Sequence, residues 1–343
     1  MGLGKGAIVS EINRNLNGTA KIDKLSLGWF SVQKIGGLVI TDPAGRPALD
    51  LDIEVANGLL SLATGSAKPI VVKVHGSVEG DIRDDGSTSF AELVKASPSS
   101  KPTATPGSFT PSSPSTSGSG TLPSLDVEIN KLDITVRDLK NNKTLTVRDL
   151  TGAMALAHGG DITAKLKGVT KSNGADGSLD LSATIQKLLA SNGRLTPAGA
   201  TADVKLAVTR VPVLLTDRDE TIESLTLNLT SADLSKLVEA QTAADINIPG
   251  EQPGSLRGQF ELEKPFKPTG EIDVTLDGIS GTLIAQNIPT ALLQPFLGQS
   301  GIVLNRDLAK LINLDAAFSQ GQTKDIKIKA LAGQMQVDAD AQI

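Results

Sequence analysis

The chain offers little for catalysis. Its two imidazoles are His75 and His158, each beside glycine in HGSVEG and AHGGD. Neither has a cysteine or a second histidine close in sequence, so the converging ligands that a zinc site needs are not encoded there. Both read as ordinary exposed or edge histidines. Asp84-Asp85-Gly86 has the acidic-glycine look of a calcium loop but lacks the D-x-D-x-D-G pattern and its distant glutamate. It reads as a hairpin turn, where Asp and Gly accept positive φ. GLGKG at 2–6 lacks the spacing of a phosphate loop, and no G-x-S-x-G is present. The expectation is a non-enzyme without metal or cofactor.

Composition narrows the binding chemistry. The net charge of −5 gives no basic footprint for nucleic acid. With seven Phe, one Trp and no Tyr, stacking platforms for bases are scarce. Apolar material is therefore aliphatic. No cysteine is present, which excludes disulfides and thiolate chemistry. No apolar run approaches the ~20 residues of a membrane-spanning helix. The chain reads as a segment of a longer protein, beginning and ending inside patterned sequence.

Those aliphatic residues alternate with polar ones. Segments 38–41, 48–55, 125–139, 143–150, 161–169, 178–185, 201–208, 223–230, 255–263, 271–279 and 325–331 all carry the two-residue rhythm of strands. A DPAG turn is expected at 42–45. A short helix is predicted at the start, with Ile8, Ile12 and Leu16 on one stripe and Gly18 beyond its end. Further helices are predicted over 90–97, 231–242, 288–297 and 305–314. Residues 97–123 are dominated by Ser, Thr, Pro and Gly and read as a disordered linker or loop, a plain insertion or a carrier of O-glycans. The expected organisation is thus an N-terminal helix plus β unit over 1–96, this tract, and a β-rich region over 124–343. Asn17, Asn142 and Asn228 begin glycosylation sequons of the kind that chance often produces.

One irregularity recurs. In KIDKLSLGWF (21–30), Ile22 stands three residues before Leu25, whereas strand faces repeat every two. The same I-x-x-L-x-L outline returns at Ile129–Ile134 and Ile222–Leu227. A bulge at Asp23-Lys24, Asn130-Lys131 and Glu223-Ser224 would restore the face and bend the strand, and a break between short strands is the alternative. A sheet with one aliphatic face must cover it with a second sheet, helices or a ligand. Periodicity alone leans to a sandwich closed on itself, against an open sheet whose dry interior accepts acyl chains.

The opening segment shifts that balance. Leu16, Gly18, Ala20, Ile22, Leu25, Leu27, Trp29, Phe30, Leu38, Ile40, Asp42, Pro43 and Gly45 follow the spacing L-x-G-x-[VI]-x-I-x-x-[VIL]-x-L-x-W-F…L-x-[VIL]-x-D-P-x-G. This resembles the opening of the AsmA-like proteins of the bacterial envelope, the TamB- and YhdP-related group, over roughly the first hundred residues. The resemblance implies a curved, partly open antiparallel β-sheet, a groove with a few short capping helices, that binds or conducts phospholipid or another acyl-chain lipid between membranes. It also implies a periplasmic location, an inner-membrane anchor through a transmembrane helix missing from this chain, and other envelope proteins as possible partners. The residues expected to line the groove are Ile22, Leu25, Leu27, Leu49, Leu51, Ile53, Val55, Leu132, Ile134, Val136, Val204 and Leu206. The alternative is a scaffold of packed β-sandwich units with no role in lipid binding.

Overall fold

The computed structural model describes residues 2–63, 69–83, 87–93, 123–157, 159–172, 174–190, 192–267, 272, 278–290, 292, 310–319, 325–333 and 335–342. Strands dominate, and they form one large open sheet accompanied by two short helices. Helix α1 spans Gly2–Asn15 and α2 spans Leu59–Ala63. The first half of the sheet comprises β1 (Thr19–Ser26), β2 (Gln33–Thr41), β3 (Pro47–Val55), β4 (Ile70–Ile82), β5 (Leu125–Asp138), β6 (Lys143–Leu156), β7 (Ile162–Ser172), β8 (Ala175–Asp176) and β9 (Leu179–Gln186). The second comprises β10 (Thr201–Pro212), β11 (Thr221–Asp233), β12 (Leu237–Asn247), β13 (Gly254–Glu263), β14 (Ile279–Pro289), β15 (Leu311–Phe318), β16 (Asp325–Ala332) and β17 (Met335–Gln342).

Strand order follows chain order. Each strand pairs antiparallel with the next, except that β7 passes over the two-residue β8 to pair with β9, and that β4 and β5 run parallel. The parallel pair is extensive, from Ile70↔Leu125 to Ile82↔Asp138. Parallel neighbours require the chain to return along the full strand before pairing, so they need a long connection. The stretch from 83 to 124, which contains the Ser/Thr/Pro/Gly tract, supplies it. The tract itself lies outside the described residues.

Alternation places most of the aliphatic residues on one face, with exceptions such as Val39, Val71 and Ile284 on the other. One row can be followed across the molecule: Ile22↔Leu38↔Leu51↔Gly76↔Leu132↔Leu150 on the first strands. It continues as Gly168↔Leu179↔Val208↔Leu225↔Ala244↔Leu256↔Ala285↔Leu314↔Ala330↔Val337. The opposite face is charged and is laced by cross-strand ion pairs such as Lys34–Glu54, Lys73–Glu128, Lys131–Asp149 and Lys167–Asp180.

The apolar face is concave. Ile82 of β4 packs against the cluster that holds Ile246, Ala285 and Ile288 of β12 and β14. In a flat sheet those strands would lie roughly 40 Å apart. Curvature has identifiable sources. Three strand glycines, Gly76, Gly152 and Gly281, adopt φ of 144°, 148° and 137°. Bulges also flank the central row, at the Ile35/Leu38 step of β2 against β3, around Asn130-Lys131 in β5, at Arg148/Thr151 in β6, at Ile222/Ser224 in β11 and at Ala285/Ile288 in β14. Asp149, Arg210 and Asn287 take positive φ beside them, a conformation normally left to glycine.

Two sequence expectations about the bulges need refining. The extra residue at Asn130-Lys131 does sit in β5, facing both neighbours. At Asp23-Lys24, however, β1 and β2 keep one register from Thr19↔Thr41 to Ser26↔Lys34. The three-residue step Ile22–Leu25 is matched by an equal step, Ile35–Leu38, in its hairpin partner. The slip is absorbed one strand later, where Ile53 and Leu51 take only two residues. The Glu223-Ser224 slip behaves alike: β10 and β11 stay in register and the shift falls against β12.

The predicted first helix is present as α1, and Ile8, Val9, Ile12 and Leu16 cover the apolar face of β1–β3 together with Phe90 and Leu93. The DPAG turn also forms, with Gly45 N–H donating to the Asp42 carbonyl at 2.9 Å and Gly45 at φ 81°. Other helices differ from expectation. Residues 231–242 are the end of β11, a turn and the start of β12, and Leu311 onward is strand β15. The segment 90–97 has a single 3-10 turn, Ser89–Glu92, among its described residues, and 288–297 begins as the end of β14. The remainder of 288–297 and 305–310 is mostly outside the described residues. A sandwich closed on itself is not formed: there is one sheet, and it does not close.

Candidate functional site: an aliphatic trough with one plugged end

Eleven of the twelve expected lining positions fall on the concave face. Ile22 is buried and Leu25 half-buried on β1. Leu49, Leu51, Ile53 and Val55 on β3, Leu132, Ile134 and Val136 on β5, and Val204 and Leu206 on β10 are half-buried. Their cross-strand partners are apolar or glycine, as in Ile134↔Val147, Val136↔Leu145 and Leu206↔Leu227, except that Val55 also faces Gln33. Leu27 departs from the set. Strand β1 ends at Ser26, and Leu27 projects with 48% of its surface exposed.

Half-burial is the informative property. On β1–β3, α1 and the Phe90/Leu93 turn complete a core. Over β5 to β13, no helix or second sheet covers the concave face among the described residues. Side chains there are shielded only by their neighbours and the curvature, so much aliphatic area remains available. Each such Leu or Ile, already partly shielded, would gain on burial by an apolar occupant only a fraction of the about 1.5–3 kcal/mol that full burial of an exposed side chain contributes.

One end of the trough is plugged by residues 213–220, between β10 and β11. Val213 and Leu215 are buried in the cluster of Ile246, Ile248 and Ile288. Asp138, at the end of β5 and 1% exposed, accepts the Leu215 N–H at 2.7 Å and holds its own hairpin through Asn141 Nδ2 at 2.8 Å. Lys143 Nζ donates to the carbonyls of Val213, at 3.0 Å, and Arg218. Arg218 bridges Glu220 at 3.3 Å and Glu251 at 2.7 Å. The Asp42 carboxylate of the nearby DPAG turn binds Arg46 at 2.9 Å; burial alone would raise its pKa, but Arg46 and the turn amides hold it below the ordinary value.

Glu220 carries the plug's pH sensitivity. Burial pushes its carboxyl above the ordinary 4.5, against the opposing pull of Arg218, Thr216 and Lys143. Burial likewise lowers the Lys143 ammonium. A carboxyl raised on folding favours the folded state at and below its unfolded pKa, and that contribution is lost as pH rises through the folded value. Glu220→Gln is therefore expected to flatten the decline in urea midpoint that the wild type shows as pH rises above the ordinary glutamate value of 4.5. Equal slopes for the two chains would show that Glu220 does not titrate in this range.

The opposite strand ends are built differently. A cavity of about 980 Å³ lies among the β9–β10 connection, the β11–β12 turn and the end of β13. Leu195, Leu237 and Phe266 give it an apolar wall, and Arg194, Lys236 and Lys264 a basic rim. No motif announces it, because its three contributing segments, within 190–198, 235–237 and 263–267, lie far apart in sequence.

His75 lies exposed on the charged face of β4, opposite Asp52 and Lys131. His158 and the Asp84-Asp85-Gly86 turn lie outside the described residues, although Ile82↔Thr88 pair across the latter. Among the described residues no three His, Cys, Asp or Glu converge as a metal site, and no helix is long and apolar enough to cross a membrane. Compared with protein-family models, curated proteins and solved structures, the chain finds no match.

Proposed function

We propose that the trough is a non-enzymatic binding surface for acyl-chain lipid, most simply phospholipid, which it holds or conducts along its concave face. The observation that carries this reading is the aliphatic face between β5 and β13, which no helix or second sheet covers among the described residues. A linear, mainly aliphatic surface whose few hydroxyls, such as Thr170 and Ser172, are bonded within the protein complements a hydrocarbon chain better than a polar ligand. Aromatic planes, which a sugar or base would need, are nearly absent from it. The basic rim at Arg194, Lys236 and Lys264 lies at the strand ends away from the plug, where an anionic headgroup would be accommodated. Placement in the bacterial envelope and membership of the AsmA-like group rest on the resemblance of the first hundred residues.

Photo-crosslinking side chains placed singly at Leu51, Ile134 and Leu206 are expected to capture phospholipid in envelope extracts. The same probes at Asp50 and Asp52, on the charged face, should not. Capture confined to the outward positions, or a native mass spectrum of gently purified protein with no lipid adduct, would overturn the assignment in favour of a lipid-free scaffold.

A further inference from the structure

The sheet presents a second apolar feature, outside the trough. Six of its exposed large hydrophobic side chains gather at one corner, where β1 gives way to β2 and β3 to α2. Exposures are Leu27 48%, Trp29 67%, Phe30 86%, Val32 37%, Leu60 43% and Leu62 36%. Trp29 is the only tryptophan in the chain. The two segments that carry them, LGWFSVQ at 27–33 and NGLLSLA at 57–63, contain no ionisable side chain.

The corner is held firmly. Gln33, 5% exposed, accepts the Gly28 N–H at 2.8 Å and donates to the carbonyls of Gly28 at 2.7 Å, Ser31 at 2.6 Å and Asn57 at 3.3 Å. Leu59 and Leu60 N–H groups donate to the Gly28 and Trp29 carbonyls, both at 3.0 Å. One buried side chain thus satisfies the backbone of the turn and fastens it to α2, leaving the apolar side chains directed outward. Exposing a tryptophan and a phenylalanine on a rigid frame forgoes their burial, and folding alone gives no reason for it.

We infer that this corner is a membrane-contact tip that inserts Trp29, Phe30 and Leu60 into the interfacial layer of a lipid bilayer. Two features select a bilayer over a protein. Among the described residues the patch is made of six side chains on two short segments, well short of the roughly 20–30 residues a side of a stable protein interface. Its residue types are those that settle at the boundary between headgroups and acyl chains, where an indole finds both an apolar body and a partner for its N–H. The tip stands at the strand ends opposite the plug, so the apolar face of β1–β3 runs out toward it through Leu25, Ile35 and Val55. The inference goes beyond the trough reading and stands independently of it.

Trp29 reports on its own site. With the full chain and extruded vesicles of phosphatidylethanolamine and phosphatidylglycerol, its emission is expected to shift to the blue and to be quenched by lipids brominated on their acyl chains. The double variant Phe30→Ser/Leu60→Ser keeps the reporter and is expected to weaken vesicle partitioning roughly tenfold or more. Circular dichroism confirms that it is folded, and the wild-type quenching result needs no variant. An unmoved emission with vesicles present would overturn the tip, as would a shift that follows protein concentration in their absence, which would mark self-association. Native mass spectrometry separates the two readings. Lipid adducts with an unmoved Trp29 would remove the tip and leave the trough, whereas vesicle binding without adducts would do the reverse.

Discussion

Gly152→Val is expected to unfold the middle of the sheet, costing roughly 3 kcal/mol or more and lowering the urea midpoint sharply. Gly152 sits within β6 at φ 148°, where a Cβ would stand 1.9 Å from the Lys165 carbonyl oxygen of β7. Backbone cannot withdraw from that contact without breaking the ladder on both sides. Gly76 and Gly281 repeat the arrangement, at 2.0 Å from the carbonyls of Asp50 and Gln259. These positions let adjacent strands approach where the sheet curls, so a side chain there opposes curvature itself. Glycines at exposed turns give the contrast: at Gly199 and Gly250 a Cβ would enter open space, and alanine there meets only the strain of its positive φ. A Gly152→Val protein with unchanged urea midpoint would show that the curl is not set by these glycines.

Charge in the trough is the second large effect. Leu132→Asp combined with Leu206→Arg is expected to abolish phospholipid occupancy, read as loss of the lipid adduct in native mass spectra. The physical asymmetry makes the test clean. In the lipid-free protein these positions are only half-buried, so water reaches the new charges and the fold tolerates them. With an acyl chain in place the same charges are stripped of water and unpaired, which costs several kcal/mol each. Matching substitutions on the outer face, Asp50→Asn and Asp52→Asn, should leave occupancy unchanged. Loss of adduct from both sets alike would point to a general defect rather than a blocked trough.

Much of this architecture was legible in the residues. Period-two alternation identified the aliphatic face, and the displaced Ile22–Leu25 spacing marked genuine irregularities in the ladder. It did not reveal which neighbour absorbs the slip, because that depends on whether the hairpin partner carries the same extra residue. Alternation also looks identical for parallel and antiparallel strands, so the β4–β5 seam was invisible. The false helix over 231–242 has a local cause. Asp233 accepts from Ser235 N at 3.1 Å, Ser235 Oγ at 2.7 Å and Gly199 N at 3.0 Å, making a tight turn where Leu234 and Val238 mimic helical spacing. Its carboxyl pKa is held far below the ordinary range, first by Ser235 and then by Lys236 and Gly199. The plug was likewise unreadable, since Glu220, Lys143 and Asp138 come together only after the strands from β5 to β11 have paired.

The strand order has a consequence for how the molecule comes into being. Because nearly every strand docks on its immediate predecessor, contacts are short in sequence and the sheet can grow from a ribosome as a ribbon, one strand at a time. Each completed edge is a template for the next strand, so apart from the outer edge of β1 the unsatisfied backbone lies at a single advancing front. Only at the seam does this rhythm pause. The edge of β4 must wait until the chain from 83 to 124 has emerged, and it is there that a nascent sheet is most open to pairing with the wrong neighbour.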